Sequence, residues 1–208
     1  FSYNSYNTIE GGSGNDLIQI SSYFSGDGAA YSNTFAGGAG NDRIVSGSGA
    51  DTYLYNRGDG QDSILDANYY NSTVDKIVFG VGITASDLVV TRLGDHLVIK
   101  VNDPANPGAT DQITIENWDT IYNRIEKLQF ADGSSLTAVQ LSDMAMTGAS
   151  GSDTLMGWSD NSTVLGLGGD DTITDVGGDD VLDGGDGNDT ITDSYGNDRI
   201  YGGDGNDT

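Results

Sequence analysis

The chain of 208 residues has no cysteine, only 2 prolines, a single histidine, and 8 basic residues against 32 acidic ones. Without cysteine it has no disulfides, no thiolate nucleophile and no cysteine metal ligand. No stretch reaches the roughly 18 apolar residues that a membrane-spanning helix needs. The formal charge of −24 would repel nucleic acid and anionic lipid, so neither is expected as a partner. Such a polyanion resists compaction until cations neutralise it. With disulfides excluded, metal ions are the remaining way to staple a thin core. What the chain does have is glycine, 32 of them, and aspartate at a fixed spacing.

From Gly148 onward the sequence divides into nine-residue units: GASGSDTLM, GWSDNSTVL, GLGGDDTIT, DVGGDDVLD, GGDGNDTIT, DSYGNDRIY and GGDGNDT. Their sixth residues are Asp153, Ser162, Asp171, Asp180, Asp189, Asp198 and Asp207. Their eighth residues are Leu155, Val164, Ile173, Leu182, Ile191 and Ile200. A fixed period of this kind indicates a solenoid. The glycine-rich part of each unit suits a tight turn. The following three residues, such as Thr172, Ile173 and Thr174, alternate polar and apolar, as a short strand with one inward side chain does. Turn plus strand is half a circuit, so two units of nine close one coil. Aspartates 18 residues apart should then stack, with Asp153, Asp171, Asp189 and Asp207 on one edge and Ser162, Asp180 and Asp198 on the other.

Carboxylates stacked about 5 Å apart, the usual interstrand spacing, repel unless a cation lies between them. Two carboxylates and several turn carbonyls offer an all-oxygen shell that suits Ca²⁺ better than zinc or copper, and better than Mg²⁺ with its tighter octahedron. The expected pairs are Asp153/Asp171, Asp171/Asp189, Asp189/Asp207 and Asp180/Asp198. The Ser162/Asp180 gap has one carboxylate fewer and is expected to be weak or empty. Turn residues Gly148, Gly166, Gly168, Gly184, Asp186, Gly202 and Asp204 are expected to help complete the shells.

A second block opens the chain. GGSGNDLIQ from Gly11, GGAGNDRIV from Gly37 and SGSGADTYL from Ser46 place Asp16, Asp42 and Asp51 at position six. Flanking copies keep the frame with Asn7 and Asn33 there, the stretch 20–27 shifts the period by one, and Tyr55-Asn56 add two residues before RGDGQDSIL, whose sixth residue is Asp62. Sites are expected at Asp42/Asp62 and Asn33/Asp51, and weaker ones around Asn7 and Asp16, with Gly11 and Gly37 contributing turn carbonyls. Between the blocks the period vanishes. Asp75–Phe79, the two runs within Asp87–Val101, Gln112–Trp118 and Arg124–Phe130 read as strands, the second stretch as a hairpin. Ser135–Met144 reads as a short helix capped by Ser134 or Ser135. Five of the eight basic residues, Lys76, Arg92, Lys100, Arg124 and Lys127, fall in this segment. Open solenoid ends need capping, so the segment is expected to cap the first block and connect it to the second.

The near-consensus copies GGSGNDLIQ, GGAGNDRIV and GGDGNDTIT resemble the RTX family of calcium-binding proteins exported by bacterial type I machinery, whose nonapeptide is a recognised β-helix signature. ADTYLYNRGDGQDSILD resembles the end of such a block. DKIVFGVGI, GDHLVIKV, ITIENW and IEKLQFADG resemble the haemolysin-type calcium-binding related domain. The resemblance implies an all-β chain of two parallel β-roll blocks, 1–65 and 148–208, the latter truncated, around a β-rich capping and connecting segment at 66–147 with a short helix. It also implies calcium-triggered folding outside the cell. Beginning at Phe1 and stopping inside a repeat, the chain reads as part of a larger secreted polypeptide.

Other chemistries fit less well. Gly184–Gly187 is no phosphate cradle, since no lysine follows and the neighbouring acids repel phosphate. An EF-hand fails for want of glycine and glutamate at the required loop positions. His96 is expected in an exposed hairpin turn, Trp118 in the core and Trp158 exposed at a turn. A carboxylate pair such as Glu116 with Asp119 is unremarkable in so acidic a chain, and no nucleophile–base pair or cofactor loop is present, so no catalytic residue and no enzyme activity is expected. The leading reading is a calcium-binding structural module. The alternative is a ligand-binding module, an adhesin or polysaccharide-binding tail, for which exposed Tyr3, Tyr6, Tyr23 and Tyr31 would speak.

Overall fold

The computed structural model describes residues 6–20, 32–67 and 73–208. Tyr3, Tyr23 and Tyr31 lie outside the described residues, and Tyr6 is exposed. The chain divides into two compact units, Phe1–Ala138 and Val139–Thr208.

The first unit starts with six short strands, β1 (Thr8–Ser13), β2 (Leu17–Gln19), β3 (Thr34–Ala39), β4 (Arg43–Ser46), β5 (Thr52–Tyr55) and β6 (Gln61–Asp66). Successive strands alternate between two sheets, and glycine-rich turns precede β2, β4, β5 and β6. Odd-numbered strands pair in parallel with one another, as do even-numbered ones. The non-repeat segment extends both sheets with β7 (Lys76–Phe79), β8 (Leu88–Leu93), β9 (His96–Val101), β10 (Gln112–Ile115), β11 (Lys127–Gln129) and β12 (Ser135–Thr137). The sheet orders are β1-β3-β5-β7-β11-β12 and β2-β4-β6-β10-β9-β8. Pairing turns antiparallel at β11–β12 and at β10–β9–β8. The parallel stacks therefore end in hairpin-like edges, which blunt the templating tendency of an open parallel stack.

The inward residue of each strand explains the core. Ile9, Phe35, Tyr53, Ile77, Leu128 and Leu136 succeed one another across one sheet. Ile18, Ile44, Ile64, Ile115 and Leu97 do so across the other. Phe35 stacks on Tyr53 at 5.5 Å between ring centroids, and Phe79 on Phe130 at 5.4 Å. Each fully buried large side chain contributes about 1.5–3 kcal/mol. Arg57 ties the last repeat turn to the segment that follows, donating to the carbonyls of Gly82 (2.8 Å) and Asn102 (2.6 Å) and to the Asp87 carboxylate (2.9 Å).

The second unit holds β13 (Thr154–Met156), β14 (Thr163–Leu165), β15 (Thr172–Thr174), β16 (Val181–Asp186), β17 (Thr190–Thr192) and β18 (Arg199–Asp204). They form two parallel sheets, β13-β15-β17 and β14-β16-β18. Leu155, Ile173 and Ile191 are in register in one, and Val164, Leu182 and Ile200 in the other. Coils touch through their turn backbones. Gly187 has φ +143°, and a Cβ there would overlap the carbonyl of Gly169 in the coil before it. Gly187→Ala is therefore expected to separate two coils, at a cost above the about 1–3 kcal/mol of the backbone conformation alone. Gly58→Ala, with φ +85° and nothing within 4 Å of the added atom, should show only the conformational part. Thermal melts of the two variants in saturating calcium check this.

Three expectations need correction. Ser135–Thr137 is not helical but pairs antiparallel with β11, and the helix, α1, spans Ala138–Ala145. His96 is not a free turn residue: it begins β9, half-buried, and its Nδ1 accepts the N–H of Asn117 at 3.0 Å. Trp158 is fully buried rather than exposed, with its backbone N–H donated to the Ser162 hydroxyl at 3.2 Å. Trp118 is buried as expected.

Candidate metal centre

Coil stacking brings the position-six carboxylates into ladders. In the second unit the N–H of Asp153 donates to Asp171 Oδ1 (2.8 Å), that of Asp171 to Asp189 Oδ1 (2.8 Å), and that of Asp189 to Asp207 Oδ1 (3.0 Å). On the opposite edge Ser162 donates to Asp180 Oδ1 (2.5 Å), and Asp180 to Asp198 Oδ1 (2.8 Å). Every one of these steps spans 18 residues. In the first unit Asp16 donates to Asp42 (2.8 Å) over 26 residues and Asp42 to Asp62 (2.9 Å) over 20, the latter offset reflecting the inserted Tyr55-Asn56. Asn33 donates to Asp51 (2.7 Å), and the Asn7 side chain to Asn33 (3.0 Å).

One oxygen of Asp42, Asp51, Asp62, Asp171, Asp180, Asp189, Asp198 and Asp207 is thus used by the fold. Oδ2 of Asp16, Asp42, Asp51, Asp171, Asp180 and Asp189 is buried and receives no hydrogen bond, whereas Asp153 Oδ2 accepts the N–H of Ala149 at 2.7 Å. An uncompensated buried carboxylate oxygen costs several kcal/mol unless a cation or a proton meets it. A Cβ on Gly148 would stand 2.8 Å from Asp153 Oδ2 and one on Gly11 2.7 Å from Asp16 Oδ2. On Gly37, Gly166, Gly184 and Gly202 it would overlap Oδ2 of Asp42, Asp171, Asp189 and Asp207. Glycine at position one therefore leaves room for the carboxylate oxygen itself, which a larger side chain there would displace. Among the described residues no three carboxylates or histidines converge into a metal cage. An ion here would take two carboxylates and otherwise neutral oxygens, the donor set of Ca²⁺ rather than of a transition metal.

Electrostatics point the same way. Burial pushes the Asp62 carboxyl up to about 7, with Asp42 nearby adding to the rise and the Asp42 N–H opposing it. Burial raises Asp51 to about 6 and Asp180 to about 7, the latter helped by contact with Asp175. Of the other residues expected at the sites, Gly168 bridges to Asp186, and Asp186 is in register with Asp204, although both aspartates face solvent. Glu116 and Asp119 do not form a pair: Glu116 binds Arg43 (2.8 Å), and Asp119 lies 3.8 Å from Arg92.

Sequence reasoning missed three features. Asp75 continues the Asn33–Asp51 ladder, accepting the N–H of Asp51 at 2.6 Å, but lies 24 residues on, where the period is lost. Asp66 and Asp175 carry buried Oδ2 atoms without donors yet stand where other repeats have glycine. Position five forms an outer ladder of its own, with Asn188 donating to Asp170 (2.8 Å) and Asn206 to Asn188 (3.1 Å). The recurring Asn-Asp pair was its visible signal.

Residues 5–19, 27–62, 147–174 and 175–208, more than half of the chain, match the RTX calcium-binding nonapeptide repeat. Residues 96–140 match the haemolysin-type calcium binding protein related domain. The chain is 36% identical over 104 residues to the iron-regulated protein FrpA of Neisseria meningitidis serogroup C. That match takes in 50% of this chain and 9% of the relative. Among solved structures, the extracellular lipase LipA from Serratia marcescens shows 23% identity and a TM-score of 0.21, over 78% of this chain and 29% of that one.

Proposed function

Because the chain belongs to the family of RTX calcium-binding nonapeptide repeat proteins, we propose that it is a structural module of a larger secreted bacterial protein, one that folds on binding several calcium ions after export. The observation that carries this reading is the series of buried Oδ2 atoms that receive no hydrogen bond, repeated coil after coil. Ca²⁺ bound there would supply the positive charge that the stacked carboxylates need. The chain's own residues fix where it sits. Position-six aspartates present one oxygen to the ion and use the other to clamp the preceding coil. Position-one glycines leave room for those carboxylates, and the eighth-position aliphatics close the core behind them.

At low calcium, as before export, the charge of −24 opposes coil stacking. At higher calcium, binding and folding become one process. Because each coil rests on its neighbours, the transition should be cooperative. Far-UV circular dichroism of the chain in chelator, titrated with Ca²⁺ and separately with Mg²⁺, tests this. A cooperative gain of β signal with calcium alone is expected. A spectrum already fully β in chelator and indifferent to calcium would remove the proposal.

A further inference from the structure

Position one is glycine along the Asp153–Asp207 edge of the second unit, at Gly148, Gly166, Gly184 and Gly202. On the other edge it is Gly157, Asp175 and Asp193. In the first unit Gly11 and Gly37 are followed by Arg57 on one edge, and on the other Ser46 is followed one coil later by Asp66, its register partner. The second unit therefore has a glycine edge and an edge rich in acid.

The acid at position one does not turn to solvent. Asp175 is 5% exposed and Asp180, the sixth residue of the same turn, 1%. The two carboxyl groups are in contact, and the Oδ2 of each is buried without a donor. Asp175 leans toward the preceding coil, for a Cβ on Gly157 would stand 3.2 Å from its Oδ1, which accepts the N–H of Gly177 at 3.1 Å. Asp180 leans the same way, toward the N–H of Ser162. Both carboxylates thus face the Ser162 turn, which brings a hydroxyl where other repeats bring a charge. None of the ion pairs among the described residues reaches either one. The first unit repeats this arrangement. Asp66 and Asp75 are both fully buried and in contact, and Asp66 Oδ1 accepts the hydroxyl of Ser46 in the coil before (3.1 Å).

Asp175 and Asp180, like charges in contact and buried, with neither Oδ2 given a donor, are not stable as such. We infer that Asp175 and Asp180 form a divalent-cation site of a second kind, in which both carboxylates come from one turn rather than from two stacked coils. This rests on the calcium reading above and extends it to a place where that reading expected none. The carboxylate lost at Ser162 is replaced by Asp175, so the Ser162/Asp180 gap is filled rather than empty.

Equilibrium dialysis of the whole chain against calcium, with bound metal counted by atomic emission, tests the inference. Asp175→Asn should bind one ion fewer than the unsubstituted chain, or bind that ion at least about tenfold more weakly. Asp175→Gly, which restores the residue of the other edge and so suits the turn, should show the same loss. Asp170→Asn removes an exposed outer-ladder charge and should leave the count unchanged. If both Asp175 variants match the unsubstituted chain in number and affinity, or bind more tightly, the second class of site is refuted while the calcium reading stands. An unsubstituted chain that takes up no calcium overturns both.

Discussion

Asp171→Ala is expected to cost the second unit two calcium ions, not one, and to raise the calcium concentration at its folding midpoint by at least about tenfold, or about 1.4 kcal/mol. The reason is topological. Asp171 is 2% exposed and sits in the middle of a ladder, with Asp153 in the coil before and Asp189 in the coil after. Its Oδ1 holds the Asp153 N–H at 2.8 Å, and its Oδ2 is free. A bridging ion on either side loses one of its two charged ligands when this carboxylate goes, and charge count is a main determinant of calcium affinity. Asp171→Asn separates ligation from scaffolding, because the amide oxygen can still accept the Asp153 N–H. Similar calcium losses in the two variants would assign the effect to the ion. A loss confined to the alanine variant would assign it to the hydrogen bond. Asp207→Ala, at the last ladder step, should cost a single ion. If bound-calcium counts for Asp171→Ala and Asp207→Ala are equal, ions are not bridged between coils 18 residues apart.

The ladder geometry was legible because it is local and periodic. One aspartate and one aliphatic per nine residues fix which side chains turn inward, and the two-residue insertion at Tyr55-Asn56 correctly shifts Asp42 onto Asp62. Register follows from arithmetic wherever the period holds. Where the period stops, the strands were legible but not their neighbours. That β7 sits beside β5 and β11, and β10 between β6 and β9, depends on non-local pairing that no spacing encodes. Ser135–Thr137 has a helix-capping composition, yet its backbone groups are taken by β11, and tertiary pairing overrides the local preference. Trp158 misled for a different reason. Its repeat is degenerate, and the Ser162 hydroxyl that replaces the carboxylate binds the Trp158 backbone N–H, so a turn that elsewhere leaves Leu167 half-exposed here closes over the indole. The acid edge was visible as letters, Asp175 and Asp193 in place of glycine. Its meaning was not, because a side chain at position one can turn inward or outward, and only the coordinates show which.

Acid should act on this chain in two opposite ways. Burial raises Asp62 and Asp180 to about 7 and Asp51 to about 6, against about 3.9 in an unfolded chain. A carboxyl whose pKa is higher folded than unfolded binds more protons when folded, so the stability of the metal-free fold falls as pH rises from about 4 to about 7 and is flat above. Calcium needs the same oxygens ionised, so its affinity rises across that window and levels off once they have lost their protons. In chelator, lowering the pH from 8 to 5 should therefore increase β signal, because protons take the place of the missing cations on buried oxygens and reduce the self-repulsion of the −24 chain. In calcium, the same change should weaken binding by an order of magnitude or more, and calorimetry in buffers of different ionisation enthalpy should detect protons released on binding at pH 6 but few at pH 8. Calcium affinity that is constant from pH 5 to 8, with no proton release at pH 6, would mean that the raised carboxyls are not the ones the ions use. The metal sites would then have to be sought among the solvated carboxylates of the outer ladder.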